Sequence, residues 1–261
     1  MPKFYIFIFL LFFAANVRAQ SWELGGSFGG SGYMGDLNEN NPLSISGISF
    51  GGFVQRNYNG YFSTKFNYTY GKISAADANS NNAQDRARNL SFTTTLNEFA
   101  IIKEYNFLNY IPEVGKNKFT PYIYLGLAAA NYVPTTVYKG VVYNLRNETT
   151  GGQATPYSTT ALSIPYGAGF KVNFSGAWTL SADIGYRNTN TDYLDDVGGV
   201  YPSSYPSAIA KALSDRSGET TGIYTATPGS QRGGSNTADT YFFVQFSVSF
   251  TFLSSKCSYS Y

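Results

Sequence analysis

Between Tyr241 and Phe252 the chain reads Y-F-F-V-Q-F-S-V-S-F-T-F. Phe242, Val244, Phe246, Val248, Phe250 and Phe252 share one parity; Gln245, Ser247, Ser249 and Thr251 share the other, joined only by Phe243. A period of two belongs to a β-strand, here with one wholly apolar face and one mostly small and polar face. Two architectures use such a strand. In a soluble barrel the apolar face packs inside, whereas in an outer-membrane barrel it meets lipid and the polar set fills the lumen.

The start of the chain bears on the compartment. Lys3 precedes an unbroken apolar run, Phe4 to Ala15, and small Val17 and Ala19 flank Arg18 where an export signal would be cut. A run this short, at about 1.5 Å per residue, cannot cross about 30 Å of hydrocarbon. Residues 1–19 are therefore expected to be a signal peptide, 20–252 an outer-membrane barrel, and 253–261 a short periplasmic tail. Removing the signal takes away Lys3 and Arg18 and no acid, so 18 − 2 = 16 basic residues balance 16 acidic ones. That balance argues against nucleic acid as a partner, because phosphate binding needs a clustered positive excess. Cys257 is the only cysteine, so no internal disulfide is expected.

Histidine is absent from the chain, which removes Ser-His hydrolysis and His-ligated zinc. No cofactor is expected. The densest acidic stretch, Thr191-Asp192-Tyr193-Leu194-Asp195-Asp196-Val197-Gly198-Gly199, could hold calcium or supply an acid and base pair. Its spacing matches no EF-hand loop, and Asp and Gly are ordinary loop formers. Gly29 to Gly32 leaves a strand for a loop instead of opening a helix, so it is no phosphate cradle.

No apolar run after the leader approaches 18 residues, while 27 Gly, 23 Tyr and 21 Phe suit strands, turns and aromatic bands. The alternation predicts eight strands, at residues 22–30, 44–56, 61–73, 90–107, 120–132, 162–174, 178–190 and 241–252. Within the fourth the apolar parity changes from Leu90, Phe92 and Leu96 to Phe99, Ile101 and Tyr105, which predicts a bulge near Asn97. Long and short connections alternate, as in an antiparallel up-and-down transmembrane barrel with short periplasmic turns, long outer loops and both termini periplasmic. Trp22, Phe62, Phe107, Tyr122, Phe174, Trp178 and Phe252 are expected to form one aromatic girdle, and Tyr33, Tyr70, Tyr132, Tyr186 and Tyr241 the other. Lys65, Glu98, Glu104, Lys171, Asp183 and Arg187 fall on polar faces. A soluble barrel's core has no place for them together, but in a narrow membrane barrel they can pair across the lumen and close it.

Particular motifs resemble a known family. Gly30-Ser31-Gly32-Tyr33-Met34-Gly35-Asp36-Leu37-Asn38 follows the first strand, Ile164-Pro165-Tyr166-Gly167-Ala168-Gly169 lies on the sixth, and Ile184-Gly185-Tyr186-Arg187 leads to Thr191-Asp192-Tyr193-Leu194-Asp195-Asp196-Val197. With Glu104-Tyr105-Asn106-Phe107 and Thr120-Pro121-Tyr122-Ile123, they resemble the PorG-type outer-membrane barrels of the type IX secretion system. The resemblance marks Tyr33, Gly35, Asp36, Asp192, Tyr193, Asp195 and Asp196 as family-motif loop residues. It implies a non-catalytic barrel associated with a periplasmic ring lipoprotein and its partner subunit, supporting protein export and, in gliding species, motility. Such a ring reaches only the short-turn side. The 108–119 connection is long enough to meet it, with Tyr110, Glu113, Lys116 and Lys118 as candidate partner-binding residues. The alternative is a surface-exposed barrel whose outer loops bind other cells, matrix or a small ligand.

Overall fold

The computed structural model describes residues 21–38, 41–234 and 238–252. The expected leader, the 253–261 tail and Cys257 lie outside them. The period-two segments form β1 (Ser21–Met34), β2 (Ile45–Asn57), β3 (Phe62–Ala76), β4 (Ser91–Asn106), β5 (Phe119–Tyr138), β6 (Val141–Asn144), β7 (Thr160–Ser175), β8 (Trp178–Thr189) and β9 (Thr240–Phe252). Eight of them close antiparallel in the order β1-β2-β3-β4-β5-β7-β8-β9, with β9 returning to β1. The additional strand, β6, folds back on the tip of β5 as an arm, turning through Lys139 and Gly140 at φ 50° and 80°. Closure pairs both edges of every barrel strand.

Near the short-turn end the wall is mainly apolar outside and polar inside, and the outward polar pair Lys103 and Thr64 bond each other at 2.7 Å. Leu24, Phe66, Ile101, Leu125, Phe170 and Phe246 point outward and are exposed, while Glu23, Gln55, Lys65, Glu104, Lys171 and Ser247 point inward and are buried. Toward the long-connection end the pattern inverts. There Ile73, Phe92, Leu96, Tyr132 and Phe243 are buried inward, in one core with Leu194 and Val197, and Lys72 and Asn131 face outward.

This inversion replaces the expected bulge at Asn97. β4 keeps unbroken register with both neighbours, Asn97 opposite Tyr70 and Asn131. The apolar parity changes because the media on the two sides of the wall change. The register shifts on other strand pairs, at Ser31/Gly32 and Asn173/Ser175.

The same inversion corrects the girdles. Trp22, Phe62, Phe107, Phe174, Trp178 and Phe252 are exposed around the short-turn end, and Tyr70 and Tyr186 are half-exposed on the outer wall. Tyr33, Tyr122, Tyr132 and Tyr241 instead point inward and are buried. For Tyr122 the cause is local, because it packs against inward Gly169 as Tyr124 packs against Gly167 and Gly185. A Cβ on any of these glycines would overlap the facing ring. The Tyr-Gly-Ala-Gly and Ile-Gly-Tyr-Arg motifs thus make room for two tyrosines inside a narrow barrel.

Candidate functional site

The motif residues meet in a cap at the long-connection end. In the first motif, Asn38 donates from its backbone to the Gly35 carbonyl at 2.9 Å and from its side-chain amide to the Tyr33 carbonyl at 2.6 Å, closing a turn. Leu37 drops into the core. Gly35 is required by proximity, since a Cβ there would overlap the Tyr33 hydroxyl and the Asp239 carboxylate. The Asp36 carboxylate accepts from the Gly234 backbone at 2.7 Å, and the Asp36 carbonyl accepts from Arg88 at 2.9 Å.

The second motif enters the barrel mouth as a plug. Leu194 is fully buried; its N–H donates to Asp239 at 2.8 Å and its carbonyl accepts from the Thr94 hydroxyl at 2.5 Å. Asp195 accepts from the Val197 N–H at 2.8 Å and from the Tyr33 hydroxyl at 2.5 Å, and that hydroxyl also lies 3.0 Å from Asp239. Asp196, at φ 69°, accepts from the Thr150 hydroxyl, from the Tyr157 hydroxyl at 2.6 Å and from Arg232. The Tyr193 ring stacks on Tyr157 at 4.5 Å.

One hydroxyl proton cannot serve two ionised carboxylates. The Asp195–Tyr33–Asp239 chain is therefore complete only when one carboxyl is itself protonated and donates to the tyrosine oxygen. The electrostatics agree. Burial, with the neighbouring Asp36 charge, pushes the Asp192 carboxyl up to about 7. Asp195 is raised well above the usual carboxylate range by burial and then Asp36, and Asp239 by burial and then Asp195. Burial also raises Asp196, against the pull of Arg232. Among the described residues no three such groups converge to hold a metal ion.

Below the cap lies the lumen network. Glu104 pairs with both Lys65 and Lys171. Arg187 donates to Glu98 at 3.0 Å, and Glu98 also accepts from the Tyr241 hydroxyl at 2.7 Å. Asp183 accepts from the hydroxyls of Tyr122 at 3.0 Å and Tyr124 at 3.2 Å. Glu23, held by Ser249 and Asn57, joins the buried set. The gap lined by Lys65, Glu104, Asp183 and Arg187 is about 20 Å³, which is room for about one water. The lumen is filled.

The 108–119 connection folds under the barrel as a floor. Tyr110 is buried, its N–H donating to the Gly60 carbonyl at 3.0 Å and its hydroxyl 2.7 Å from that of Thr179. This corrects the expectation that Tyr110 offers itself to a partner: its ring is buried beneath the short-turn end, with its hydroxyl against Thr179, and does not reach outward. Glu113, Lys116 and Lys118 are exposed, with Lys118 reaching Asn173 at 3.4 Å.

Arg88, Arg232, Asp77 and Asp239 escaped the sequence reading. Arg88 forks onto Asp77 with two 2.8 Å bonds and donates to the carbonyls of Asp36 and Arg232, and Arg232 donates to the Asp196 carbonyl at 2.7 Å. With Arg232 also donating to the Thr150 hydroxyl at 3.0 Å, these two arginines tie four connections together, and nothing in the polar loop sequences around them signals it.

A closed barrel with an apolar outer wall, an ion-paired filled lumen and a capped mouth defines an eight-stranded barrel of the outer-membrane type. Residues 2–207 match the model of a domain family of unknown function, DUF6089, and the chain belongs to that family. The match spans every barrel strand except β9. No curated relative matches the chain. Among solved structures it is similar to a major outer membrane protein from Thermus thermophilus, at 9% identity and TM-score 0.46, over 90% of this chain and 100% of that one. Neisserial surface protein A matches at 10% identity and TM-score 0.43, again over 90% and 100%. The N-terminal β-barrel domain of Pseudomonas aeruginosa OprF matches at 14% identity and TM-score 0.38, over the same shares.

Proposed function

We propose that this barrel is a non-catalytic outer-membrane component of type IX protein secretion, of the PorG type, with its termini and short connections in the periplasm. The supporting observation is the contact between the two motifs that carry the resemblance. Tyr33 of the first donates to Asp195 of the second at 2.5 Å, so the shared sequence pair is one built unit. In this reading the floor faces the periplasmic ring lipoprotein and its partner subunit, and the exposed charges Glu113, Lys116 and Lys118 make the contact. Membrane lipids cover the wall.

Reversing those charges together (Glu113→Lys, Lys116→Glu, Lys118→Glu) should abolish co-purification of ring subunits and leave heat-modifiable barrel mobility unchanged. Unchanged co-purification removes the contact, and normal cargo export after gene deletion removes the secretion role. A second reading, a surface-binding barrel, is favoured by exposed Ile223 and Tyr224 on the β8–β9 connection. It prevails if deletion spares export but exchanging residues 190–239 changes adhesion.

A further inference from the structure

Lys72 lies on β3 opposite Thr95, points away from the barrel and is exposed. Among the described residues its ammonium makes no hydrogen bond, ion pair or ring contact. It lines an open groove of about 740 Å³ at the rim of the wall, bounded by Asn38, Asn41 and Ser44 after β1, by the β3–β4 connection and by the β6 arm, and reaching in to the buried Leu37, Phe92 and Thr136. Apart from Lys72 and Asp85, the polar part of the lining is hydroxyl and amide, including Ser44, Ser74, Thr93 and Thr135. The Asp85 carboxylate already accepts from the Ser80 hydroxyl at 2.8 Å.

Toward the lipid belt, β3, β4 and β5 carry part of a shallow, almost wholly apolar hollow of about 700 Å³, lined there by Phe66, Tyr68, Phe99, Leu127 and Ala129 and extending to Leu24, Val54 and Leu162 on β1, β2 and β7. Tyr68 and Lys72 are separated by four residues of β3, about 13 Å. The Tyr68 hydroxyl donates to Asn97 at 2.8 Å between the two regions. A cation with hydroxyls above and a greasy hollow below fits an amphiphile with an anionic, hydroxyl-bearing head. A glycerophospholipid phosphate would engage Lys72 alone, whereas a sugar phosphate would also use the hydroxyl and amide lining.

We propose that this groove binds the sugar-phosphate head of an outer-leaflet glycolipid, with its acyl chains laid in the apolar hollow. The inference rests on the long connections lying at the outer leaflet and is independent of any secretion partner.

The test uses the purified full-length protein in detergent, with lipid retention read by native mass spectrometry. The probes are a phosphorylated, acylated diglucosamine, phosphatidylglycerol and free glucosamine 1-phosphate. The wild type should retain the glycolipid over phosphatidylglycerol, and Lys72→Gln should weaken the glycolipid about tenfold, the weight of one charge-assisted hydrogen bond. Ser74→Leu with Thr135→Leu should weaken the glycolipid and leave phosphatidylglycerol unchanged. Ala129→Trp should weaken both lipids without affecting the free sugar phosphate. Lys72→Ala stands in if Lys72→Gln loses its heat-modifiable mobility. Equal retention of the two lipids by the wild type, or glycolipid binding indifferent to both polar variants, would overturn the proposal. So would free sugar phosphate binding as tightly as the glycolipid. Because no secretion subunit is present, failure of the type IX role leaves this result unaffected.

Discussion

Raising the pH should loosen the plug that Leu194 anchors in the barrel mouth. Four carboxyls around it shift the same way: Asp192 to about 7, with Asp195, Asp196 and Asp239 also raised. A carboxyl whose protonated form is favoured in the docked plug stabilises docking fully below its free value, near 3.8, and loses that contribution as pH climbs through the docked value. Arg88 and Arg232 are the cations that face the cluster. For Asp192, moving from 3.8 to about 7 corresponds to about 4 kcal/mol before screening. The side chain is half-exposed, so about 2 kcal/mol is the share to expect after solvent screening. That is roughly a thirtyfold change in the open fraction of the plug. The assay is hydrogen exchange of the Leu194 and Val197 amides, which donate to Asp239 and Asp195, in nanodiscs from pH 4 to 8 with intrinsic rates divided out. Protection should fall as pH rises, and Asp192→Asn should flatten the profile and raise protection at neutral pH. Protection independent of pH, or an Asp192→Asn profile superimposable on the wild type, would refute the reasoning.

Three further outcomes follow from burial. Glu104→Gln leaves Lys65 and Lys171 facing each other in a filled lumen and should cost about 3–5 kcal/mol, read by urea unfolding from lipid vesicles with Trp22 and Trp178 as fluorescent reporters. Leu127→Arg places a charge on the most exposed part of the lipid-facing wall and should cost about 2–4 kcal/mol in the same assay. Leu194→Ala empties a fully buried site and should lower docking stability by about 2–5 kcal/mol, seen as faster limited proteolysis within residues 190–239 with the barrel transition unchanged.

Much of the barrel was legible because strand alternation is local. Phe246, Val248 and Phe252 face outward beside inward Ser247, Ser249 and Thr251, as the residue order alone predicts. The lumen pairs could be named as a set, since a charge on a strand's polar face has few other places to go. The cap was not legible. Asp77 and Arg88 lie on one connection, Asp195 and Asp196 on another, and Arg232 and Asp239 far along the same long segment. Loops this polar allow many pairings, and only the closed barrel brings these together. Tyr110 was misread for a related reason: a residue in a connection looks free until the chain folds it back beneath the lumen.

The misread parity of β4 carries the most physical information, because the point of inversion marks where hydrocarbon ends. On β4 the outward row is polar at Thr93, Thr95 and Asn97 and apolar at Phe99, Ile101 and Tyr105, interrupted by Lys103, which reaches Thr64 at 2.7 Å, with Phe107 just beyond the strand. On β3 the outward row is aromatic at Phe62, Phe66, Tyr68 and Tyr70, then becomes Lys72 and Ser74. Counted across the single polar pair Lys103–Thr64, which bond each other at 2.7 Å, each row covers eight residue steps, Phe99 to Phe107 and Phe62 to Tyr70, or about 27 Å of strand. At a tilt of about 40° this is roughly 21 Å along the barrel axis, near the apolar band of about 25 Å that outer-membrane barrels present. Above that level water lies outside, and the capped mouth must supply its own apolar interior from Ile73, Leu96, Phe243 and Leu194. A chain that merely bulged at Asn97 would shift the register there. The unbroken pairing of Asn97 with Tyr70 and Asn131 instead requires that the surroundings change while the strand does not.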